Sequence, residues 1–581
     1  MIPDYPEVRR NTGMDNVIFL VLRRMRRPLI ALICAYAVSI LGFTVIPGAD
    51  NQGNPWHMDF FHAFYFVSFM GSTIGFGEIP YPFTGGQRMW ATLTIYVTVV
   101  TWLYAIGNIL SLVNDTAFRR VLAFSAFSRQ VRQIREPFYL ICGYGDTGAL
   151  LVDELADRDI PCTVIDLDET RIQALEIAGL PRHMPGLCTD ANSADALIAA
   201  GLLSTHCQGV VAVTNSDGAN LKIAITTKLL RPHLKVICRA ETEDTAANMA
   251  SFGTDHIINP FDTFADRFAM MFHSPAMYLV FEWITAVHDS PLKDFVVPPR
   301  GLWVLCGYGR FGRAVRRHLS FEGVETRIIE SDPVRTQPPE GSVIGRGTEA
   351  VTLRQADIES AAGLIAGTDD DTNNLSILIT AKDLNGDLFT AARQNQRTND
   401  PIFEASRANL VMKPSTIIGR GILSLIITPL LGDFLKLARD RDEDWANILV
   451  SRVSGVVTDE SPQTWTLILD NVKSHAVTTL LAEGARITLE QITRDPHDRD
   501  RPLPCVPLLL KRGGGLQLLP ELETVLQEHD QLLFCGVDSA RLAMKTTTKN
   551  LNVLGYVLTG NELPAGSVWR WLKRRQAAPA G

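Results

Sequence analysis

A six-residue loop, residues 73–78, constrains this chain more than any other part of the sequence. It reads Thr-Ile-Gly-Phe-Gly-Glu and follows an apolar, aromatic segment, residues 60–70, that has the length of a short helix but cannot cross a bilayer. Apolar runs long enough to cross one lie on both sides, so the sequence predicts a re-entrant loop between two membrane spans. Non-helical backbone at that depth is stable only where protein buries it or where it lines a wet cavity.

The glycines of this loop indicate what it does. Gly75 and Gly77 permit backbone conformations that other residues avoid, so successive carbonyl groups can all point towards one axis. A ring of such carbonyls from several copies can replace the hydration shell of a cation. The predicted ion-coordinating residues are Thr73, Ile74, Gly75, Phe76 and Gly77. A turn in a soluble domain is the alternative, and the flanking spans argue against it.

The two spans are predicted at residues 28–47 and 89–113. The first has about 20 residues without a charge, which suffices to cross the hydrocarbon; a secretory signal competes with it, but its length and the lack of a small-residue cleavage site disfavour that reading. The second contains Gly107, which in an otherwise good helix is consistent with close packing. Residues 1–27 precede the spans, and their apolar run 17–22 could lie on the membrane surface.

The net charge of −8 conceals an asymmetry, because residues 1–135 carry +5 and the remainder −13. An acidic soluble part argues against a nucleic-acid partner. Arginines that flank a span stay in the cytoplasm, which predicts that both termini and everything after residue 114 are cytoplasmic. The flanking arginines are Arg23, Arg24, Arg26 and Arg27 before the first span, and Arg119, Arg120, Arg129, Arg132 and Arg135 after the second.

From residue 138 short apolar strands alternate with helical segments, which is typical of a parallel α/β sheet. This part contains an internal repeat. Each copy carries a strand followed by the G-x-G-x-x-G fingerprint, and later segments stay in register through Asn220 and Asn374. The fingerprint residues are Gly143, Gly145, Asp146, Thr147 and Gly148 in the first copy, and Gly307, Gly309, Arg310, Phe311 and Gly312 in the second.

An acidic residue follows the first glycine of each fingerprint by 23 residues, at the end of a second strand: Asp166 and Glu330. The glycines let backbone N–H groups approach a pyrophosphate at a helix N-terminus, and the carboxylate accepts hydrogen bonds from ribose hydroxyls. That carboxylate would repel a 2′-phosphate, so NAD(H), ADP or ATP is favoured over NADP. The pair predicts two Rossmann-type units.

Together these parts resemble a prokaryotic, ligand-gated potassium channel with two transmembrane helices per subunit and tandem RCK (KTN/TrkA-type) domains. The loop looks like the Thr-Val-Gly-Tyr-Gly filter of K+ channels, with Phe76 in place of tyrosine and Glu78 in place of aspartate. Phe69 stands where many relatives carry a polar partner for that acid. The segment 519–536 is similar to an RCK C-terminal lobe, and the first unit passes into the second without such a lobe.

The resemblance implies a K+-conducting homotetramer in the cell (inner) membrane, with a cytoplasmic gating ring regulated by a nucleotide. It also makes Gly107 a candidate gating hinge, as the alternative to a role in close packing. It also implies regulation by divalent cations such as Ca2+; the candidates, residues 369–371 and 439–444, lack EF-hand spacing, and we assign no metal ligand. The predicted domains are an N-terminal segment (1–27), the pore (28–113), a helical linker (114–136), the first Rossmann unit (137–298), the second (299–445), a small α+β C-terminal lobe (446–541) and a tail (542–581).

Three other functions remain open. A membrane-tethered NAD-dependent oxidoreductase would fit the fingerprints, but we find no substrate domain or catalytic constellation, and absence of NADH oxidation would exclude it. A Trk-type uptake subunit carries four pore loops in one chain, whereas this chain has one and must gain its symmetry by assembly. A less selective cation channel is the third, because of Phe76 and Glu78.

Overall fold

The structure is a computed structural model that describes residues 13–286, 296–457 and 460–561. The first part of the predicted N-terminal segment, the linker between the two Rossmann units and the second half of the predicted tail lie outside these residues. The chain forms two compact units that divide after Arg135.

The first unit is helical. Two of its helices, over Met25–Val45 and Gly85–Val113, are long and apolar enough to cross a membrane. A core that includes Ile40, Phe43 and Val67 joins them to the short helix between them. Its elements are α1 (Gly13–Val45), β1 (Gly48–Ala49), β2 (Pro55–Trp56), α2 (Phe60–Gly71), α3 (Gly85–Val113) and α4 (Thr116–Gln133).

Two boundaries in this unit differ from those expected. Helix α1 runs through Pro28 without a break, whereas we expected a separate segment to end there. Proline removes one backbone hydrogen bond, but an apolar membrane helix tolerates it. Helix α3 begins four residues before the expected start at Met89, because Thr84 and Gln87 form a capping box.

The second unit begins with a six-stranded parallel sheet in the order β5-β4-β3-β6-β7-β8. The order reverses between β3 and β6, and the carboxyl ends at such a switch point form the ligand crevice of α/β proteins. This first lobe comprises β3 (Phe138–Cys142), α5 (Asp146–Asp157), β4 (Cys162–Asp166), α6 (Glu169–Ile177), β5 (Gly186–Cys188), α7 (Ala194–Ala199), β6 (Cys207–Ala212), α8 (Asp217–Leu230), β7 (Lys235–Arg239), α9 (Glu243–Ser251), β8 (His256–Ile258), α10 (Pro260–His273) and α11 (Pro275–Ile284).

The second lobe repeats this topology, with the parallel order β11-β10-β9-β12-β13-β14. The doubly wound fold predicted from the repeat is therefore confirmed. Its elements are β9 (Trp303–Cys306), α12 (Arg310–Phe321), β10 (Thr326–Glu330), α13 (Pro333–Thr336), β11 (Val343–Ile344), α14 (Ala350–Gln355), a 3-10 turn (Ile358–Ser360), β12 (Gly363–Ala366), α15 (Asp371–Leu384), β13 (Phe389–Arg393), a second 3-10 turn (Arg397–Asn399), α16 (Asp400–Ala405), β14 (Leu410–Met412), α17 (Pro414–Ile427), α18 (Pro429–Ala438) and α19 (Glu443–Ser454).

The two lobes exchange helices. Helix α10 of the first lobe packs on α12 of the second, and α17 of the second packs on α5 of the first. Aromatic rings fill the first contact: Phe264 lies 5.5 Å from Phe311, and Phe268 lies 5.2 Å from Trp303, between ring centroids. The pair α17–α18, bent by 115°, is apolar enough to pass as a broken span by composition. Its buried side chains belong to the cores of the lobes, which accounts for that apolarity.

A four-stranded antiparallel sheet, in the order β15-β18-β16-β17, completes the unit. We expected this lobe to end at residue 541, with a tail from 542, and that boundary is wrong. Two further helices belong to the lobe, because Met544 and Leu554 are buried in its core. The elements are β15 (Gln463–Ile468), α20 (His475–Ala482), α21 (Leu489–Ile492), β16 (Cys505–Arg512), β17 (Gly515–Leu518), β18 (Gln531–Gly536), α22 (Asp538–Lys549) and α23 (Leu551–Thr559).

Candidate functional site

The loop that follows α2 is tied to the end of that helix by its own backbone. The N–H groups of Ile74 and Gly75 both donate to the carbonyl of Phe69, at 3.1 and 3.4 Å. These bonds use carbonyl capacity that a helix C-terminus otherwise leaves unpaired. The short helix therefore fixes where the loop begins.

The backbone of the loop alternates in handedness. Thr73, Gly75 and Gly77 have φ of +60°, +66° and +72°, and the two residues between them do not have positive φ. Alternation of this kind turns successive carbonyl groups to the same side of the chain. Positive φ is easy for glycine but costly for a β-branched residue such as Thr73, about 1–3 kcal/mol. Strain of this kind persists where the surroundings enforce it, and it is typical of functional sites.

A polar partner for Glu78 comes from a residue that the sequence reasoning missed. The Tyr65 hydroxyl donates to Glu78 Oε2 at 3.0 Å. Phe69 contacts Phe76 edge to face, with 6.3 Å between the ring centroids. Tyr65 lies one helical turn before Phe69, and this i, i+4 spacing on α2 was the available signal.

Gly107 lies in the middle of α3. A Cβ atom added there would meet nothing within 4 Å in this chain. Close packing inside the chain therefore does not require this glycine.

Both fingerprints adopt the same backbone geometry. Gly143 and Gly307 have φ of +106° and +97°, in the region that favours glycine. A Cβ on Gly148 would lie 2.0 Å from the Gly143 carbonyl oxygen, and one on Gly312 would lie 2.1 Å from that of Gly307. The third glycine of each fingerprint is thus required for the helix to pack against the strand.

The two fingerprint side chains before those glycines point inward. Thr147 is buried, and Phe311 is buried against the first lobe. We expected both among the nucleotide-binding residues. The structure leaves them only their backbone groups for that purpose.

The two acidic residues hold the fingerprint loops from the neighbouring strand. Asp166 accepts from the backbone N–H groups of Tyr144, at 2.5 Å, and Asp168, at 2.8 Å. Glu330 accepts in the same way from Tyr308, at 2.6 Å, and Asp332, at 2.8 Å. A carboxylate has about four lone-pair sites, so each side chain retains capacity for a further donor.

A cavity of about 660 Å³ opens at the fingerprint of the second lobe. Its size lies in the range of small-molecule sites. A Cβ on Gly309 would meet nothing within 4 Å, so the loop leaves space for a ligand to approach the backbone. Five arginines line the cavity together with Glu330 and Asp369; they are Arg310, Arg313, Arg335, Arg346 and Arg393.

These arginines come from separate segments, and only the fold brings them together. Arg393 ends β13 and lies over the Phe261 ring, 4.7 Å from its centroid. Burial lowers the pKa of the Arg393 guanidinium from its ordinary value. Its Nε is buried without a hydrogen-bond partner. Of the five, sequence reasoning identified Arg310 alone.

The first lobe carries a different charge pattern at the equivalent positions. Asp146 stands where the second lobe has Arg310, and Ala149 stands in place of Arg313. Strand pairing aligns Asp166 with Cys188 and Glu330 with Ile344, so that Asp190 takes the place of Arg346. Arg171 and Arg239 keep the other two positions. The two crevices therefore share a backbone but not an electrostatic character.

Buried asparagines fix the next turn of each crevice. Asn374 accepts from the Thr368 N–H at 2.9 Å and donates to the Arg393 carbonyl at 2.7 Å. Asn220 makes the matching bonds in the first lobe. These matching hydrogen bonds explain why the two asparagines occupy the same position in the two copies of the sequence repeat.

Two of the three acidic side chains in the cluster 369–371 have structural partners. Asp370 caps α15 through the Asn373 N–H at 2.7 Å, and Asp371 accepts from Asn395 N–H at 2.6 Å. No group of three or more His, Cys, Asp or Glu side chains within residues 13–286, 296–457 and 460–561 is arranged to hold a metal ion. Four strand cysteines, Cys142, Cys238, Cys306 and Cys535, are buried, and burial raises the pKa of Cys306 to about 12.

Comparison with known families agrees with this architecture. Residues 30–115 match the ion channel family model, and residues 139–260 and 303–414 both match the TrkA-N domain. Potassium channel protein 1 of Methanocaldococcus jannaschii is 26% identical over 246 residues, which cover 42% of this chain and 72% of that protein. Probable potassium channel protein 2 of the same organism is 23% identical over 205 residues, 35% of this chain and 58% of that protein.

A solved structure of the GsuK channel bound to NAD covers 91% of this chain and 99% of its own, at 15% identity and a TM-score of 0.43. The family matches define a membrane protein in which an ion-channel pore domain precedes two TrkA-N domains. The chain belongs to the potassium channels with RCK domains, as the resemblance indicated.

Proposed function

We propose that four copies of the loop 73–77 meet around a common axis and conduct K+. The observation that carries this proposal is the alternating positive φ at Thr73, Gly75 and Gly77. Carbonyl groups that face one side can replace the hydration shell of a desolvated cation. One chain supplies one side of such a ring, so a closed symmetric assembly is needed to complete it.

The environment of the loop supports an assembly. Ile74 and Phe76 are 61% and 68% exposed in the single chain. Neighbouring subunits would cover these side chains and hold the strained backbone at Thr73. The hydrogen bond between Tyr65 and Glu78 would take the tethering role that the tyrosine hydroxyl, absent at Phe76, has in the family.

A nucleotide is the proposed regulatory ligand, bound at the fingerprints of the RCK lobes. The cavity of the second lobe offers backbone N–H groups at the start of α12, arginines for phosphate and the Glu330 carboxylate for ribose hydroxyls. The carboxylate favours NAD+, ADP or ATP over a 2′-phosphorylated dinucleotide. The corresponding residues of the first lobe are Gly143, Gly145, Gly148 and Asp166.

Gating follows from differential binding. A nucleotide changes conduction only if it binds the lobes more tightly in one state of the channel than in the other. In the sequence, α4 lies between the second span and the first lobe, and it would transmit that difference to α3. Gly107 is the proposed hinge, since the chain does not need it for packing.

We also propose an orientation of the chain in the membrane. The arginines at the span ends support cytoplasmic RCK lobes and cytoplasmic termini in the cell membrane. Regulation by Ca2+ is tested by adding that ion separately, without an assigned binding site.

The test is ion flux into vesicles reconstituted with the purified protein. We expect K+ uptake well above Na+ uptake, and a change of rate when NAD+, ADP, ATP or Ca2+ is added separately. Equal K+ and Na+ uptake would support the less selective cation channel instead. Flux that no nucleotide alters would remove the proposed ligand while leaving the pore.

Two glycine substitutions form a matched pair for the pore. A Cβ would meet nothing within 4 Å at either Gly77 or Gly85. Gly77 has φ +72°, whereas Gly85 opens the helix α3. Gly77→Ala should abolish selective K+ flux and Gly85→Ala should preserve it, because only the former changes the handedness of the loop. Similar flux in both variants would contradict the proposed filter.

A further inference from the structure

An ion pair joins the cavity of the second lobe to the first lobe. Arg310 is the first residue of α12 and lies in the fingerprint. Its Nη1 is 2.7 Å from Oε2 of Glu241, which follows the strand β7 of the first lobe. The Arg310 side chain is 54% exposed, while that of Glu241 is only 9% exposed. The carboxylate is thus held within the protein, whereas the arginine is half exposed, lies over the Phe261 ring and also lines the cavity.

Glu241 has a second arginine partner. Its Oε1 pairs with Arg239, whose Nη1 also donates to Asn215 at 3.0 Å. Arg239 ends β7 as Arg393 ends β13. Asn215 follows Thr214 as Asp369 follows Thr368. Arg239 and Asn215 therefore occupy in the first lobe the positions that the cavity-lining Arg393 and Asp369 occupy in the second. Glu241 therefore connects the two crevices through their arginines.

The cavity itself carries an excess of positive charge. Five arginines face Glu330 and Asp369 around a space of about 660 Å³. Glu241 lies at the border of this group and also favours the charged form of Arg393. Asp332 pairs with Arg335 at 3.8 Å and offsets part of this excess. A single phosphate group can contact only some of the five guanidinium groups, whereas two or three linked phosphates could contact more of them. The first crevice lacks this excess, since Asp146 and Asp190 replace two of the arginines.

We infer that the cavity of the second lobe binds a nucleoside diphosphate or triphosphate whose phosphates compete with Glu241 for Arg310. The inference rests on the proposed nucleotide-binding function and specifies its ligand and its regulation. In the structure Arg310 pairs with Glu241. When phosphate binds at the start of α12, Arg310 turns to it and Glu241 keeps Arg239 alone. Occupancy of the second lobe thereby alters an ion pair with the first lobe.

The expected effects follow from which charge is removed. Glu241→Gln removes the competing carboxylate, so ADP should bind about three- to tenfold more tightly, on the scale of a partly exposed ion pair. Glu241→Asp keeps the charge but shortens the side chain. The ADP affinity of this variant should lie between that of the wild type and that of Glu241→Gln. Arg310→Gln removes the phosphate partner and should weaken ADP binding about tenfold or more.

Glu243→Gln is the matched control. Glu243 lies two residues further along, carries the same charge and pairs with Arg317 on the surface, not with an arginine of the cavity. Its affinity for ADP should stay within about twofold of the wild-type value, because that exposed pair is screened by solvent.

The experiment is calorimetric titration of the detergent-solubilised full-length protein with ADP and with AMP, for the wild type and the four variants. Tighter ADP binding in Glu241→Gln but not in Glu243→Gln, with AMP at least about tenfold weaker than ADP, supports the inference. Wild-type ADP binding that Glu241→Gln leaves unchanged or weakens overturns it, and so does AMP binding as tight as that of ADP. A wild type that binds no nucleotide would instead overturn the proposed function on which the inference depends.

Discussion

The third glycine of the second fingerprint provides a direct test of the nucleotide crevice. An alanine Cβ at position 312 would lie 2.1 Å from the Gly307 carbonyl oxygen, whereas ordinary contacts begin at 3.4 Å, so helix and loop must separate by about 1.3 Å. Helix α12 cannot simply move away, because Phe311 on the same turn packs against Phe264 and Phe261 of the first lobe. Gly312→Ala therefore forces a rearrangement of a packed interface.

The cost of such overpacking is about 1–3 kcal/mol, and we expect the upper end because backbone opposes backbone. For a domain of this size each kcal/mol shifts the Tm by roughly 2–4 °C, so the Tm should fall by about 6–12 °C. Differential scanning fluorimetry of the purified protein measures this shift. Hydrogen exchange should show the loss of protection concentrated in β9 and α12, and nucleotide binding to the second lobe should be lost.

Gly309→Ala is the control within the same fingerprint. A Cβ there meets nothing within 4 Å and Gly309 lines the cavity, so the Tm should hardly change while nucleotide affinity falls. If Gly312→Ala kept the wild-type Tm and the wild-type ADP affinity, the assignment of this loop as a tightly packed phosphate cradle would be refuted.

Three further predictions concern other parts of the chain. Tyr65→Phe removes the 3.0 Å hydrogen bond to Glu78, and single-channel recording should show shorter openings; unchanged dwell times would contradict its tethering role. Glu330→Gln removes the charge that repels a 2′-phosphate, so the preference for NAD+ over NADP+ in equilibrium binding should narrow, and an unaltered preference would count against the ribose assignment. Arg512→Gln leaves the Asp530 carboxylate, which is 1% exposed, without its bidentate partner. Hydrogen exchange should report the C-terminal lobe destabilised by about 3 kcal/mol, the lower end for a buried pair because Arg512 is 36% exposed, and equal protection would disprove this.

The large features of this fold follow from local sequence patterns. Uninterrupted apolar length predicts the two membrane helices, and the duplicated fingerprint with Asp166 and Glu330 predicts two parallel sheets. Both signals depend on physics that acts over a few residues: the absence of charge in a span, and the need for glycine where a helix meets a strand. The structure agrees with them for that reason.

The boundaries that the sequence analysis missed depend on longer-range or subtler contacts. Pro28 suggested a helix start, yet α1 continues through it. The start of α3 depends on the hydrogen bonds between Thr84 and Gln87. The helices α22 and α23 belong to the C-terminal lobe because Met544 and Leu554 enter its core, although they follow its last strand. Their apolar residues at helical spacing were the signal that could have shown this.

The composition of the candidate crevice was the least predictable part. Arg346 and Arg393 lie far apart in the sequence, and the parallel order of the strands brings them to one edge of the sheet. Glu241 belongs to the other lobe and reaches Arg310 only because the lobes exchange helices. No pattern within one repeat contains that information.

In the proposed pore, main-chain carbonyl groups of residues 73–77 select K+. The most direct measurement is the reversal potential of single channels in a planar bilayer with K+ on one side and Na+ at the same concentration on the other. We expect a reversal potential displaced strongly from zero, towards the value of a K+-selective pore. A reversal potential near zero, in channels that conduct, would show that the loop does not discriminate between the two ions.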